Sequence, residues 1–147
     1  VRECGAHHVV DHRQPLVPQV EALGLGAPGF VFSTTHTDAH LPAIVELIAP
    51  QGRFGLIDDP EVLDAKPFKQ KAVSLHWEFM FTRPVFETPD MEAQGRLLNE
   101  VAALVDAGRI RSTATEVAGK IDAATLRAVH ALIETNRARG KIVLEGF

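Results

Sequence analysis

Two short apolar runs, GFVFS at Gly29–Ser33 and RFGLI at Arg53–Ile57, bracket a segment whose apolar residues recur at helical spacing. Leu41, Ile44, Val45 and Ile48 follow one another at three and four residues and form a single stripe. Thr37 or Asp38 is placed to cap this helix, which runs through Ala49, and Pro42 is tolerated because it falls near the first turn. Pro50-Gln51-Gly52 stops it. Strands joined by a helix pair in parallel, and right-handed crossovers lay the helices on the sheet faces. The pattern begins earlier. His7–His12 (HHVVDH) is a strand candidate, and Gln14–Leu23 a short helix begun by Pro15 and stopped by Gly24 and Gly26. Two such steps in series predict a doubly wound α/β fold, with GFVFS buried on both faces.

The second half has other signals. Ala72–Phe81 (AVSLHWEFMF) is aromatic-rich and partly alternating, a last strand of the same sheet ended by Thr82-Arg83-Pro84. Thr88-Pro89-Asp90 opens a long helix to Ala107, with Leu97, Leu98, Val101, Leu104 and Val105 on one face and Gly108 as its stop. Thr113–Val117 is a weak strand, Asp122 caps a helix to about Ala138, and Lys141–Leu144 is a final strand.

Composition narrows the function classes. At 147 residues the chain has the length of one domain, and 46% hydrophobic against 23% charged residues supply a core and exclude wholesale disorder. Fifteen Lys and Arg against nineteen Asp and Glu leave a net charge of −4, which argues against nucleic acid as a partner. One cysteine, Cys4, excludes an internal disulfide and a cysteine-rich zinc site. No apolar run approaches the ~20 residues that span a bilayer, and no signal peptide opens the chain. A soluble, cytoplasmic protein with no membrane partner is expected. The chain starts at Val1 and enters at once into what reads as a helix end, as a piece of a longer protein would.

Several side chains offer chemistry. His36 and His40 stand four apart near a helix start, but Thr37 sits where a zinc-protease motif needs Glu. His7, His8 and His12 lie along the first strand candidate, and neither cluster has a third metal ligand. Exposed histidines are the plainer reading. Cys4 reads as a half-buried small hydrophobe, and Ser33 lacks a nucleophile elbow. Asp58 and Asp59 end one parallel strand, and Ser33, Thr34 and Thr35 end another. Open α/β sheets bind ligands at that edge, although the same residues also make ordinary turns. Arg137, Arg139 and Lys141 complement a helix C-terminus or could receive a phosphate. No GxGxxG fingerprint and no P-loop are expected, so a dinucleotide claim cannot rest on them.

GAHHVVDHRQPL, FVFSTTHTDAHLPAIVELIAPQGRFGLIDDP, the FTRP tetrapeptide and LIETNRARGKIVL together resemble the C-terminal half of medium-chain dehydrogenase/reductases. The branch is the quinone-oxidoreductase-like proteins, also labelled zinc-type alcohol dehydrogenase-like. The resemblance implies that residues 1–83 are the later part of a Rossmann domain for NAD(P)H. It implies that residues 84–147 return to a GroES-like catalytic domain. The implied reaction is hydride transfer between NADPH or NADH and a small-molecule substrate such as a quinone, an enone or another activated carbonyl. By resemblance, Ser33 and Thr34 lie beside the cofactor, Ile57, Asp58 and Asp59 lie near the nicotinamide, and Val85 and Phe86 close over its ribose. Arg139 or Lys141 approaches the pyrophosphate. The resemblance puts any catalytic zinc ligands in an N-terminal segment outside this stretch, so no metal ligand is assigned, zinc is untestable here and is not favoured, and the catalytic residues stay unknown. A partial sheet would leave the His7–His12 strand without a neighbour. A few hundred Å² of exposed apolar surface at ~25 cal/mol per Å² costs several kcal/mol, comparable to a domain's stability. The chain alone is therefore expected to be inactive. A homodimer through strand 72–81 would satisfy the sheet edge. The competing reading is a non-catalytic, oligomerising α/β module with dehydrogenase-like packing.

Overall fold

A computed structural model describes residues 1–135 and 137–146. The chain divides into two compact units, Val1–Met91 and Glu92–Phe147.

The first unit is built on a three-stranded parallel sheet. Its strands are β1 (Phe30–Ser33), β2 (Arg53–Leu56) and β3 (Ser74–Trp77), in that order across the sheet. Phe30 pairs with Arg53 and Arg53 with Ser74, while Ser33, Leu56 and Trp77 align at the other end. Helix α1 (Leu16–Glu21) precedes β1, and α2 (Thr37–Leu47) joins β1 to β2. The helix-spaced stripe therefore does what its spacing predicts. Ile44 and Ile48 enter a core with Phe54, Leu56 and Phe68, flanked by Val31, Leu41, Val45, Leu63, Val73 and Leu75. Phe54 and Phe68 stack with ring centroids 5.3 Å apart.

Phe68 was not visible as a core residue in the sequence. It sits in a 3₁₀ helix, Lys66–Lys71, which makes the crossover from β2 to β3. The same turn carries a C-terminal cap for α2. Lys71 Nζ donates to the carbonyls of Val45, Glu46 and Ile48 at 2.9, 2.7 and 2.8 Å. A cation on the open carbonyls of a helix end is favourable on both hydrogen-bonding and dipole grounds.

Several expectations need correction. His7–His12 forms no strand, because no neighbouring strand offers it a ladder. Strand β1 is buried on one face only: Phe30 and Phe32 remain 75% and 60% exposed. The helices of this unit cover the opposite face, where Val31 and Ser33 point. Gly55 lies beneath the Phe32 ring, and a Cβ there would stand 2.8 Å from Phe32 Cδ2, so the bare face packs its own aromatics flat. The last strand is four residues long, not ten. It ends at Trp77 because β2 ends at Leu56 and offers no further partner. Thr82-Arg83-Pro84 does not simply break the chain but starts helix α3 (Thr82–Phe86). Cys4 is exposed rather than half-buried.

The second unit holds α4 (Ala93–Asp106), β4 (Ala114–Lys120), α5 (Ala123–Glu134) and β5 (Lys141–Glu145). Strands β4 and β5 pair in parallel around α5, a second strand–helix–strand step. Asp122 caps α5 as expected, its carboxylate accepting from Thr125 N at 2.8 Å. The expected continuation of that helix to Ala138 is not found: α5 ends at Glu134, and Asn136 lies outside the described residues. Gly140 enters β5 at φ 73°, and a Cβ there would stand 2.5 Å from the Thr113 carbonyl oxygen, so only glycine fits.

Two measurements test this packing. Phe68→Ala is expected to lower stability by about 3–5 kcal/mol, the cost of an emptied aromatic site in a core. Lys71→Met, which removes the cap while keeping the aliphatic stem, is expected to cost roughly 1–2 kcal/mol. Urea unfolding midpoints of both variants against the parent check the order and size of the two effects.

Candidate functional site

Because the three strands run in parallel, the ends of β1, β2 and β3 fall on one edge of the sheet. That edge is where ligands bind in open α/β folds. Ile57 N donates to the Ser33 carbonyl at 3.2 Å and Glu78 N to the Leu56 carbonyl at 3.0 Å, extending the ladder one step past each strand. Ser33, Thr34, Ile57, Asp58 and Asp59 are thereby brought together.

The edge is organised by a buried threonine. Thr37, fully buried, opens α2 four residues after Ser33. Its hydroxyl lies 2.7 Å from Ser33 Oγ and donates to Asp58 Oδ1. Its backbone N–H donates to Asp58 Oδ2 at 2.9 Å. Neither Thr37 nor Asp38 supplies the helix cap. The N-cap position is His36, held at φ 52° in the left-handed region, and the capping oxygen comes from Asp58 at the end of β2. One carboxylate thus ties the end of β1, the start of α2 and the end of β2. The Thr37 hydroxyl and N–H, with a lesser contribution from the charge of His36, hold the Asp58 carboxyl below the usual carboxylate range.

These bonds sort the expected site residues. Ser33 and Asp58 turn their oxygens inward to Thr37 and fix the edge. Thr34, Ile57 and Asp59 are exposed along it. Val85 and Phe86 are exposed on α3, just after β3. Beside them, Trp77, Glu78, Phe79, Thr82, Arg83 and Asp90 line a cavity of about 230 Å³. Asp90 holds that wall together. It accepts from Thr88 Oγ1 at 2.7 Å and from Arg83 Nε at 2.9 Å, and these contacts lower its pKa, the threonine contact first. Arg139 and Lys141 belong to the second unit. There the Arg139 carbonyl accepts from Thr115 Oγ1 at 2.6 Å, and Lys141 N donates to the Thr113 carbonyl at 2.7 Å.

Sequence reasoning missed Thr37 as the hub, because its partner lies 21 residues away and no local pattern reports such a cap. The available signal was a hydroxyl residue four places after a strand-ending serine. The expectation of no GxGxxG is also corrected: Gly24, Gly26 and Gly29 (GLGAPG) have that spacing, but they lie between the end of α1 and the start of β1. A phosphate-cradling loop needs the reverse order, strand then helix.

Residues 4–144 match the zinc-binding dehydrogenase family. The chain belongs to that family. A zinc-type alcohol dehydrogenase-like protein of Staphylococcus aureus (strain MSSA476) is 30% identical over 143 residues, covering 97% of this chain and 43% of its own length. The crystal structure of a candidate zinc-dependent alcohol dehydrogenase from Rhizobium etli CFN 42 superimposes with a TM-score of 0.93 at 62% identity, over 99% of this chain and 43% of that one. Escherichia coli quinone oxidoreductase complexed with NADPH shares the fold, with a TM-score of 0.77 at 16% identity, over 99% of this chain and 45% of that one. The chain thus spans less than half the length of these relatives. The α/β reading, with its parallel Rossmann-type sheet, and the dehydrogenase family membership agree with the resemblance. Among the described residues, no group of three or more His, Cys, Asp and Glu side chains could hold a metal ion.

The edge has a measurable acid signature. Asp58 is more acidic when folded than unfolded. Its stabilising contribution is therefore complete above the ordinary carboxylate range and is lost as pH falls through the lowered value. Asp58→Asn is expected to flatten the loss of stability as the pH falls below the ordinary carboxylate range, relative to the parent. Thr37→Val takes the hydroxyl from Ser33 Oγ and Asp58 Oδ1 but keeps the backbone N–H bond to Asp58 Oδ2, and it is expected to cost about 1–3 kcal/mol at neutral pH. Unfolding midpoints measured at several pH values for both variants test the arrangement.

Proposed function

We propose that this dehydrogenase-family chain supplies much of the cofactor edge of an NAD(P)H-dependent oxidoreductase, which passes hydride to a quinone, an enone or another activated carbonyl. The observation that carries the reading is the edge itself: three parallel strand ends, the first two tied by Asp58 and Thr37, with Thr34, Ile57 and Asp59 open beside them. An apolar strand-end residue such as Ile57 suits the flat nicotinamide, and Val85 and Phe86 on α3 suit closure over its ribose. When bound, the nicotinamide supplies the hydride; the chain's own part is to position it and exclude water. Arg139 and Lys141 are the residues assigned to the pyrophosphate. In this reading residues 1–83 are the later part of the Rossmann domain, residues 84–147 return to the catalytic domain, and the setting is the cytoplasm. Among the described residues no helix is long and apolar enough to cross a membrane.

The same reading includes a homodimer through the edge strand. Strand β3 pairs only with β2, so its outer backbone groups are open, and Trp77 is 59% exposed. The surface for pairing is Ser74–Trp77 rather than the whole stretch 72–81, since Leu75 packs inward and Phe79 and Phe81 contact each other beyond the strand.

Dinucleotide affinity comes largely from backbone N–H groups of a glycine-rich strand–loop–helix cradle, and the described residues hold none. Calorimetric titration of the 147-residue chain with NADPH is expected to show no micromolar binding. A chimaera in which the chain replaces the matching segment of the Rhizobium etli relative is expected to oxidise NADPH or NADH with a quinone or enone. A folded chimaera inert toward every such acceptor would overturn the proposed function. Light scattering is expected to show a dimer that Trp77→Lys shifts toward monomer, and a parent monomer at high micromolar concentration would overturn the pairing.

A further inference from the structure

Two histidines that the sequence assigns to different clusters meet in space. His12 follows the His7–His12 stretch, and His40 lies on α2, yet their ring centroids are 6.4 Å apart with the planes crossed at 70°. His12 is exposed and His40 half-buried, so the pair opens to solvent on one side.

The backbone under His12 is held in place. Gln19 of α1 accepts from Asp11 N through Oε1 at 2.9 Å and returns Nε2 to the carbonyls of Asp11 and Pro15 at 2.9 and 2.8 Å. One side chain therefore pins both ends of the turn that presents His12. Helix α1 in turn packs on α2, which presents His40. Beside it, Arg13 binds the Asp11 carboxylate through Nε and Nη2 at 2.9 and 2.8 Å, so these two neighbouring charges are paired with each other.

From this geometry we propose that His12 and His40 form a two-imidazole site for a borderline divalent transition-metal ion of the copper, nickel or zinc class. With nitrogen–metal bonds of about 2.0 Å, a ring centroid stands about 3 Å from the ion, so two imidazoles on opposite sides have centroids about 6 Å apart. The observed separation leaves room for an ion between the rings once the exposed His12 ring turns a nitrogen toward it, with waters in its remaining positions. Imidazole nitrogen is a preferred ligand for these metals, and copper binds such sites most tightly. Two ligands are too few for a structural zinc cage, and the site is exchangeable rather than permanent. Its effect is to tie the unpaired His7–Arg13 stretch to α2. This inference is independent of the cofactor reading.

The test is titration of the 147-residue chain with Cu²⁺ in glycine buffer at pH 7.5, read by calorimetry and by electron paramagnetic resonance. One ion per chain is expected, with hyperfine structure from two imidazole nitrogens. His12→Gln or His40→Gln is expected to weaken binding by about tenfold or more and to leave a single-nitrogen pattern, while metal-free unfolding midpoints stay at the parent's value. His36→Gln and the double variant His7→Gln/His8→Gln are expected to bind as the parent does. Parent-like binding by both His12→Gln and His40→Gln would overturn the proposal, as would binding lost only in the His7/His8 double variant.

Discussion

Strand β2 is the constraint on which the first unit rests. It is the one strand of the three with neighbours on both sides, and its inward side chains, Phe54 and Leu56, are fully buried. A parallel strand cannot be joined to its neighbours by tight turns, so each neighbour has to be reached through a connection that crosses the sheet face. Both connections here cross the same face. Helix α2 brings Ile44 and Ile48 down on Phe54 and Leu56, and the Lys66–Lys71 turn brings Phe68 against them. Covering β2 on that side is therefore one event with placing β1 and β3. The opposite face receives nothing from these connections, and Phe30 and Phe32 stay open.

The same economy shapes the functional edge. A helix that starts where a parallel strand ends has unpaired N–H groups at the very edge where a ligand would sit. Here Asp58 takes one of them through Thr37, and the Ser33 hydroxyl completes the network. An acidic group used this way is turned from a ligand contact into a device for positioning. It spaces the end of β1 from the end of β2 and leaves Thr34, Ile57 and Asp59 as the outward-facing groups. The left-handed backbone of His36 follows from the same requirement, since the chain has to reverse sharply between Ser33 and Thr37 for the hydroxyls to meet.

What was legible in the sequence is what local physics decides. The stripe of α2, the Asp122 cap and the breaks at Gly24, Gly26 and Gly108 depend on neighbours within one or two turns, and all are found. The family resemblance was legible because residue order and spacing survive in FVFS, RFGLI and FTRP. What was not legible depends on partners far along the chain. The length of β3 is set by where β2 stops, not by the aromatic pattern of Ala72–Phe81. The strand expected at His7–His12 has suitable residues and no ladder. Phe68 becomes core, and Lys71 a helix cap, only because the crossover folds back over α2. Asp58 reads as a ligand residue until the fold shows Thr37 beneath it.

The second unit sharpens the difference between local and distant support. Its β4–α5–β5 step has the expected cap and a glycine where only glycine fits, with strands that pair in parallel, yet among its described residues no side chain is buried. Val117 and Ile133 are more than half exposed, and Leu97 and Leu98 on α4 likewise. Hydrogen bonding alone gives little net stability, and a two-stranded sheet is marginal without an apolar face to cover. Local rules can thus specify an element completely and still leave it without the burial that makes folding favourable. In this chain the first unit has a core because β2 gathers one; the second has the same motif and no strand in the β2 position.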